Sequence, residues 1–311
     1  MDRLLLVVLG PTATGKSEFA LLACERFGGE VVSVDSMQVY RGLDRGTAKP
    51  GPEVRRRAPH HGIDLADPGQ DFSLGDFVRA AGAAIASIQE GGRLPVLVGG
   101  TGLYLRGLLK GIVEAPRRDT GLRKRLVALA ARHGAARLHR ALARVDPGGA
   151  ARVRAGDRQR IVRALEVYFA TRRGLSDLIR ESPFGPDRYA SVKVGLSMDR
   201  DALYKVIDAR VARFFADGLV EEVVRLRVGG CPDTANAFKA LGYRETLRHL
   251  RGELSLEEAI ALTRRNTRRY AKRQWTWFRK EEDVAWFAID PSDPDRFSAP
   301  LGHAARALGR G

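Results

Sequence analysis

Cysteine is scarce in this sequence, because the 311 residues include only Cys24 and Cys231. Neither belongs to a CxxC pair or to a Cys/His cluster, which argues against a thiolate zinc site and against a disulfide framework. A chain with so few cysteines fits a reducing compartment, and we expect a cytoplasmic protein.

Long apolar runs are also absent, since none approaches the ~20 residues needed to span a bilayer. The first ten residues, "MDRLLLVVLG", contain a short apolar run without a small-residue cleavage site. We expect this run to form a buried first strand and not a secretion signal. The length allows one large domain with an insertion, or two domains, and we expect no membrane partner.

Positive charge is abundant but unevenly distributed within the net charge of +16. Residues 1–100 hold 11 Lys/Arg against 12 Asp/Glu, whereas residues 117–173 hold 16 against 4. Residues 264–280 hold 8 against none. Two basic surfaces on a balanced protein indicate a polyanionic partner. The alternative is a coding bias toward arginine on solvated faces, which should not spare the first hundred residues.

The first hundred residues alternate strand and helix patterns. Short apolar runs predict strands and 3.6-residue periodicity predicts helices; the strands are Leu4–Leu9, Glu30–Val34 and Leu94–Val98, and the helices Ser17–Phe27 and Phe77–Gln89. Such alternation predicts an α/β fold with a parallel sheet covered by helices on both faces. Ligands of these sheets bind beyond the carboxyl ends of the strands, where Gly10, Asp35 and Gly99 fall.

The pattern becomes helical after Pro116. Helices are predicted at Arg123–His133, Ala135–Val145 and Arg158–Arg172, and the next strand at Ala190–Leu196. Further helices follow at Leu203–Phe215, Val220–Val228, Ala240–His249 and Leu256–Arg279. We therefore predict a catalytic core of residues 1–115 and 187–311, with an all-helical insertion domain at 116–186.

The segment "GPTATGKS" fits the G-x-x-x-x-G-K-[ST] pattern of a P-loop, in the required context between a strand and a helix. Its glycines permit a tight turn, and its backbone N–H groups and helix N-terminus receive phosphate oxygens. Lys16 adds positive charge, and the Ser17 hydroxyl can hold Mg²⁺. We predict a diphosphate- or triphosphate-binding loop formed by Gly10, Pro11, Thr12, Ala13, Thr14, Gly15, Lys16 and Ser17.

Asp35 ends the second predicted strand and has three possible roles. It could be a Walker-B-like magnesium ligand, or a base that takes a proton from an incoming nucleophile near the phosphate loop. It could also simply cap a helix, since Asp35-Ser36 is a plausible N-cap.

Eight motifs in order resemble the tRNA dimethylallyltransferase family, also called tRNA isopentenyltransferases. The resemblance spans nearly the whole chain and rests on the motifs "GPTATGKS", "SVDSMQVY", "GTAKP", "HHGID", "LVGGTGLY", "DRQRIVRALEVY", "ALGYRE" and "TRRYAKRQWTWFR". Members of that family transfer the dimethylallyl group of dimethylallyl diphosphate to N6 of the adenosine 3′ of the anticodon, in tRNAs reading codons that begin with U. The resemblance thus implies a P-loop that holds an isoprenoid diphosphate with Mg²⁺ and does not require ATP.

The resemblance also assigns roles to residues of the core. Asp35 is expected to be the base, Thr101 to hold the adenine, and Thr12 to lie near the diphosphate. Arg210 matches a second diphosphate clamp, although Val206 stands where many relatives carry a basic residue. The alternative for Arg210 is a position on a solvent-exposed helix face, with no role in binding.

The tRNA contacts implied by the resemblance lie on both predicted domains. The target base must be extruded to reach a buried diphosphate. The residues expected to contact the anticodon stem-loop are Asp35, Ser36, Met37, Gln38, Thr101, Arg123, Gln159, Arg160, Ile161, Val162 and Arg163. One chain suffices for this recognition, so we expect a monomer.

Two further features have competing interpretations. The aromatic residues of "RRYAKRQWTWFR" could stack on bases, but aromatics at this spacing more often belong to a core. We therefore expect Trp275 and Phe278 to be buried, and Arg268, Lys272 and Arg279 to face phosphate or solvent. The pair His60-His61 has no companion ligands and is expected to be structural.

Other function classes remain possible from the first hundred residues alone. A P-loop kinase of a small metabolite would share the phosphate loop, but it has no use for two basic surfaces. A GTP-dependent RNA-binding switch would need a guanine-specificity motif NKxD, which the sequence lacks.

Overall fold

The computed structural model describes residues 4–113, 115–116, 119–181 and 185–310. The chain forms two compact units, a larger one of residues 1–109 and 189–311 and a smaller one of residues 110–188. Among the described residues, every helix is too short or too polar to cross a bilayer.

The larger unit is built on a parallel sheet of six strands. The strands are β1 (Leu5–Leu9), β2 (Gly29–Ser33), β3 (His60–His61), β4 (Leu94–Val98), β5 (Ser191–Ser197) and β6 (Val284–Ala288). Their order in the sheet is β3-β2-β4-β1-β5-β6, and every pair is parallel. The predicted α/β fold with a parallel sheet is thereby confirmed.

Apolar side chains alternate between the two faces of the sheet and create two cores. Leu6 and Val8 of β1 pack on one face with Phe19. Leu5, Val7 and Leu9 pack on the other face with Phe77 and Phe278. Because successive strand residues point to opposite faces, a continuous apolar run is what a sheet buried on both sides requires.

Helices cover both faces of this sheet and form the smaller unit. They are α1 (Lys16–Phe27), α2 (Pro52–Arg57), α3 (Leu74–Glu90), α4 (Gly102–Lys110), α5 (Thr120–His133), α6 (Ala135–Val145), α7 (Pro147–Arg152), α8 (Arg158–Thr171), α9 (Leu175–Glu181), α10 (Arg200–Ala216), α11 (Leu219–Val228), α12 (Tyr243–Leu250), α13 (Leu256–Phe278) and α14 (Ser298–Ala307). Several of the starts follow caps; Ser73, for example, accepts from the Asp76 N–H while Asp76 accepts from the Ser73 N–H.

The predicted helices all exist, and each end lies within three residues of its predicted position. The helix predicted from Ala240 begins at Tyr243, because residues before Gly242 form a separate 3₁₀ turn, Ala237–Lys239. Sequence analysis missed β3, β6, α2, α4, α7, α9 and α14.

The smaller unit consists of α5 to α9 around its own core. Leu142 and Ile161 are completely buried there, with Leu126, Leu138 and Leu165 packed around them. Buried Asp146 ties the unit together, since it accepts from the N–H groups of Gly149 and Ser176.

One prediction about the aromatic segment of α13 is wrong. Phe278 is buried as expected, but Trp275 is 38% exposed. Its ring packs edge-on against Trp286 of β6, with centroids 5.0 Å apart. Arg268 forms an ion pair with Asp208 of α10, and its side chain stays 38% exposed.

Candidate active site

The phosphate loop lies between β1 and α1, where the sequence places it. Gly10 has φ +138°, and a Cβ there would lie 2.2 Å from the carbonyl oxygen of Leu196. Gly15 has φ +85° and precedes the first residue of α1. Both glycines are therefore required by the backbone, one by close approach of β5 and one by the turn into the helix.

Side chains of the loop bond to its own backbone. The Thr14 hydroxyl donates to the carbonyl oxygen of Pro11 at 3.0 Å, and the Lys16 ammonium donates to the same oxygen at 2.5 Å. These bonds hold the loop in a closed turn at the start of α1, whose N–H groups favour an anion.

Lys16 is buried, and its pKa lies near neutral pH. Burial, together with the nearby positive charge of Arg210, lowers the pKa of Lys16 to about 7, against an opposing effect of Asp35. Burial also lowers the pKa of Arg210, which extends from α10 and stacks over Phe214 at 5.3 Å. Lys16 and Arg210 line the same cavity, and two neighbouring cations favour the binding of a multivalent anion. The solvated-face alternative for Arg210 does not describe this position.

Asp35 follows β2 and accepts hydrogen bonds from the next turn. Its Oδ1 accepts from the Met37 N–H at 2.8 Å and from the Gln38 N–H at 3.4 Å. The Gln38 side chain in turn accepts from the Ser33 hydroxyl at 2.7 Å and donates to the Thr47 carbonyl at 3.1 Å. These bonds belong to a turn and not to a helix N-cap, because the next helix of the described chain is α2 (Pro52–Arg57). They engage Oδ1 and leave Oδ2 open to chemistry.

Thr101 lies beside the Asp35 turn at the end of β4. Its hydroxyl oxygen accepts from the Ser36 N–H at 3.1 Å. The approach is close, since a Cβ on Gly99 would lie 2.1 Å from the Val34 carbonyl oxygen. The structure therefore places Thr101 beside the turn that follows Asp35.

One cavity joins these elements. It has a volume of about 730 Å³ and lies at the carboxyl ends of the strands. Its lining includes Thr12, Gly15, Lys16 and Ser17 of the loop, then Asp35, Gln38, Gly99, Gly100, Val206, Arg210, Tyr270 and Gln274. A phosphate loop and a carboxylate that could accept a proton thus share one space.

Comparison with known proteins gives the family. Residues 38–281 match the model of the IPP transferase family. The tRNA dimethylallyltransferase of Geobacter metallireducens is 50% identical over 282 residues, covering 91% of each chain. That of Anaeromyxobacter dehalogenans is 50% identical over 293 residues, covering 94% of this chain and 96% of the relative. The chain belongs to the IPP transferase family.

Solved structures agree with this assignment. The tRNA isopentenylpyrophosphate transferase of Bacillus halodurans superposes with a TM-score of 0.73 at 39% identity, covering 99% of this chain and 97% of that one. A eukaryotic dimethylallyltransferase solved while acting on tRNA superposes with a TM-score of 0.83 at 25% identity, covering 99% and 80%. The predicted resemblance to the tRNA dimethylallyltransferases is confirmed.

A loop that sequence analysis left without a role completes the cavity of this IPP transferase. Residues 44–45 and 47–51 line it, and buried Glu222 of α11 holds this loop by accepting from the Asp44 N–H at 3.0 Å. Tyr243 donates to Glu222 and accepts from the Gly46 N–H at 3.2 Å. Burial, with the Glu222 charge, raises the pKa of Tyr243, so it stays a hydroxyl donor.

His60 and His61, the pair singled out in the sequence, both contact polar groups of the chain. His60 Nδ1 lies 2.8 Å from the Ala58 carbonyl, and His61 Nε2 lies 2.6 Å from Glu30. Burial lowers the pKa of His60 and keeps its ring neutral. Over the described residues no group of three His, Cys, Asp or Glu side chains could hold a metal ion.

The residues predicted to contact tRNA in the smaller unit divide into three classes. Gln159 and Arg160 are exposed on α8. Arg123 pairs with buried Glu166 at 2.8 Å, and Arg163 approaches the same carboxylate at 4.0 Å. The side chains of Ile161 and Val162 are buried in the core of this unit. Contact of these two residues with tRNA stays a prediction, and their side chains face the core of the unit.

Proposed function

We propose that the chain transfers the dimethylallyl group of dimethylallyl diphosphate to N6 of the adenosine 3′ of the anticodon, in tRNAs reading codons that begin with U, and releases pyrophosphate. Family membership supports this reaction class. The observation that carries the proposal is the shared cavity, in which Lys16 and Arg210 lie with Asp35. A diphosphate leaving group and a base for the acceptor are both needed for this transfer.

The proposed chemistry breaks one C–O bond and forms one C–N bond. The lone pair of N6 attacks the allylic carbon, and the electrons of the C–O bond leave with pyrophosphate. Asp35 Oδ2 accepts the proton that N6 loses, while Oδ1 keeps its bonds to the following turn. Lys16, Arg210 and the N–H groups at the start of α1 stabilise the negative charge where it develops.

We also propose Mg²⁺ as the metal that accompanies the diphosphate. The Ser17 hydroxyl is exposed and lines the cavity with Asp35. A sparse donor set fits Mg²⁺, which keeps waters and takes further oxygens from substrate phosphates. When bound, the ion would neutralise part of the leaving group's charge.

The proposed tRNA-binding surface comprises two basic regions, one in each unit. In the smaller unit it includes Arg160 and Gln159. In the larger unit it includes a stripe along α13, whose exposed cations recur at helical spacing: Arg265, Arg269, Lys272 and Arg273. Such surfaces bind phosphates through counterion release, independently of base sequence.

The Arg160→Ala variant should bind tRNA more weakly and with a flatter salt dependence. Its guanidinium is 72% exposed and pairs with Asp157 at 3.3 Å, an exposed pair that adds little stability. Loss of one phosphate contact should lower the slope of log K against log salt by about 0.7–0.9. Fluorescence anisotropy with an anticodon stem-loop at several salt concentrations measures this slope.

Arg79→Ala is the matched control for Arg160→Ala. Arg79 is also exposed and pairs with a carboxylate three residues away, Asp76, but it lies in the charge-balanced part of the chain. Its slope should equal that of the wild type. If both variants lose the same slope, general charge and not contact at Arg160 explains the effect.

The proposed reaction is tested by incubating the protein with Mg²⁺, labelled dimethylallyl diphosphate and unmodified tRNA that reads codons beginning with U. We expect label in the tRNA at the adenosine 3′ of the anticodon, found by nuclease digestion and mass spectrometry. A tRNA with guanosine at that position is the control and should remain unlabelled. ATP turnover without any labelled tRNA would instead favour a kinase or a switch.

A further inference from the structure

A buried glutamine of α13 connects two loops of the cavity. The Gln274 side chain is only 5% exposed. Its Oε1 accepts from the Thr12 N–H at 2.8 Å, and its Nε2 donates to the Gly100 carbonyl oxygen at 2.9 Å. A backbone N–H only donates and a carbonyl only accepts, so these two partners fix the orientation of the amide.

The bonds of Gln274 continue toward the catalytic carboxylate. Gly100 precedes Thr101, whose hydroxyl oxygen accepts from the Ser36 N–H at 3.1 Å, and Ser36 follows Asp35. The path therefore begins in the phosphate loop and ends at the turn that holds the base. All its members belong to the larger unit.

The Gln274 amide is tightly packed against the backbone of Gly100. A Cβ on Gly100 would lie 2.1 Å from Gln274 Nε2, so the backbone approaches the amide as closely as only glycine permits. The Tyr270 hydroxyl, one helical turn earlier, donates to the same Gly100 carbonyl at 3.3 Å. Two side chains of α13 thus donate to this carbonyl oxygen.

We propose that Gln274 is a positioning residue that sets the distance between the diphosphate loop and the acceptor loop. The inference rests on the proposed transfer reaction, in which the allylic carbon and N6 must meet in line. Misplacement by about 1 Å can cost about 10²-fold in rate. The Thr12 N–H is committed to Gln274, so the diphosphate is bound by the later N–H groups of the loop and not by this one.

A neutral amide is the side chain that this position needs. Glutamate would still accept from Thr12, but it would face the Gly100 carbonyl with a second acceptor. Methionine matches the length but leaves the Thr12 N–H without its acceptor. The three variants Gln274→Glu, Gln274→Met and Tyr270→Phe therefore separate the two ends of the bridge.

The test measures single-turnover transfer at saturating substrates, with the dissociation constants of pyrophosphate and tRNA for each variant. We expect Gln274→Met and Gln274→Glu to be slower by about 10- to 100-fold. Both dissociation constants should stay within about threefold of the wild type, since the binding groups remain. Tyr270→Phe should slow transfer less, because Gly100 keeps its bond to Gln274. Thr276→Ala, on the exposed face of the same helix, should match the wild type.

Hydrogen exchange at the Thr12 amide provides a readout that does not depend on the reaction. Exchange should be slow in the wild type and in Gln274→Glu, and much faster in Gln274→Met. Unchanged exchange together with unchanged transfer in Gln274→Met would overturn the proposal. So would a loss of substrate binding equal to the loss of rate, or a lower unfolding temperature in all Gln274 variants with no specific rate loss. Failure of the wild type to label tRNA would contradict the proposed function, whereas the Thr12 exchange would still report on the bridge.

Discussion

Replacement of Asp35 by asparagine should lower the single-turnover transfer rate by about 10²- to 10⁴-fold, the usual contribution of a general base. Asparagine keeps an oxygen that can accept from the Met37 and Gln38 N–H groups, so the turn should persist. It cannot take the proton from N6. We therefore expect tRNA affinity to stay within about threefold of the wild type, because the contacts of the turn survive. Rapid-quench transfer and stem-loop anisotropy measure the two quantities separately.

Asp217→Asn is the matched control for this experiment. Asp217 ends α10 and lines the same cavity, so the substitution removes the same charge from the same space. We expect a rate within about threefold of the wild type, because Asp217 has no assigned proton transfer. Equal losses in the two variants would show that cavity charge, and not a base at Asp35, governs the rate. Loss of tRNA binding with normal single-turnover chemistry in Asp35→Asn would likewise contradict the base assignment.

The sheet was predictable where its strands are buried on both faces. The runs around β1, β2 and β4 are short, apolar and followed by glycine or aspartate, and their predicted ends lie within one residue of the observed ones. β3 was missed because it has two residues, both histidine. β6 was missed although "VAWFA" is apolar, because it follows a charged turn and forms the last strand of the sheet, half exposed.

The error at Trp275 has the same origin. Aromatic residues at helical spacing indicate a buried stripe, and Phe278 obeys that expectation. Trp275 lies at the border of the stripe, and its partner is Trp286 of the unpredicted strand β6. Periodicity on one helix cannot place a residue whose neighbour comes from an unrecognised element.

Polar residues that support the site were the hardest to find. Gln274 stands among buried positions of α13, between Ala271 and Phe278, and that pattern was a usable signal. Its partner was not predictable, because Thr12 lies 262 residues earlier in the chain. Glu222 holds Asp44 across 178 residues in the same way. Motifs thus indicated residues that line the cavity, whereas the residues that hold those loops in place depend on the tertiary fold.

Replacement of Lys16 by methionine should lower the single-turnover rate by about 10²- to 10³-fold at saturating dimethylallyl diphosphate, the usual effect of removing one charged donor from a developing anion. Methionine preserves most of the buried volume, so the start of α1 should remain intact. Lys205→Met, at an exposed position of α10, is the control and should leave the rate unchanged. A rise in KM alone, with the saturated rate intact, would mean that Lys16 binds donor and transition state equally and does not assist departure of pyrophosphate.

The same lysine should leave a pH signature on pyrophosphate binding. The pKa of Lys16 is about 7 in the free protein, and a bound diphosphate favours the charged form and raises it. Below pH 7 Lys16 is already protonated, so its contribution to pyrophosphate affinity is fully present. Above pH 7 binding must take up a proton, so affinity should fall by up to about tenfold per pH unit until the pKa of the complex is reached. Calorimetry in buffers of different ionisation enthalpy measures this proton uptake.

Pyrophosphate itself titrates in this range, and Lys16→Met supplies the reference that contains only that contribution. Identical proton uptake by the wild type and the variant would show that protonation of Lys16 does not accompany pyrophosphate binding.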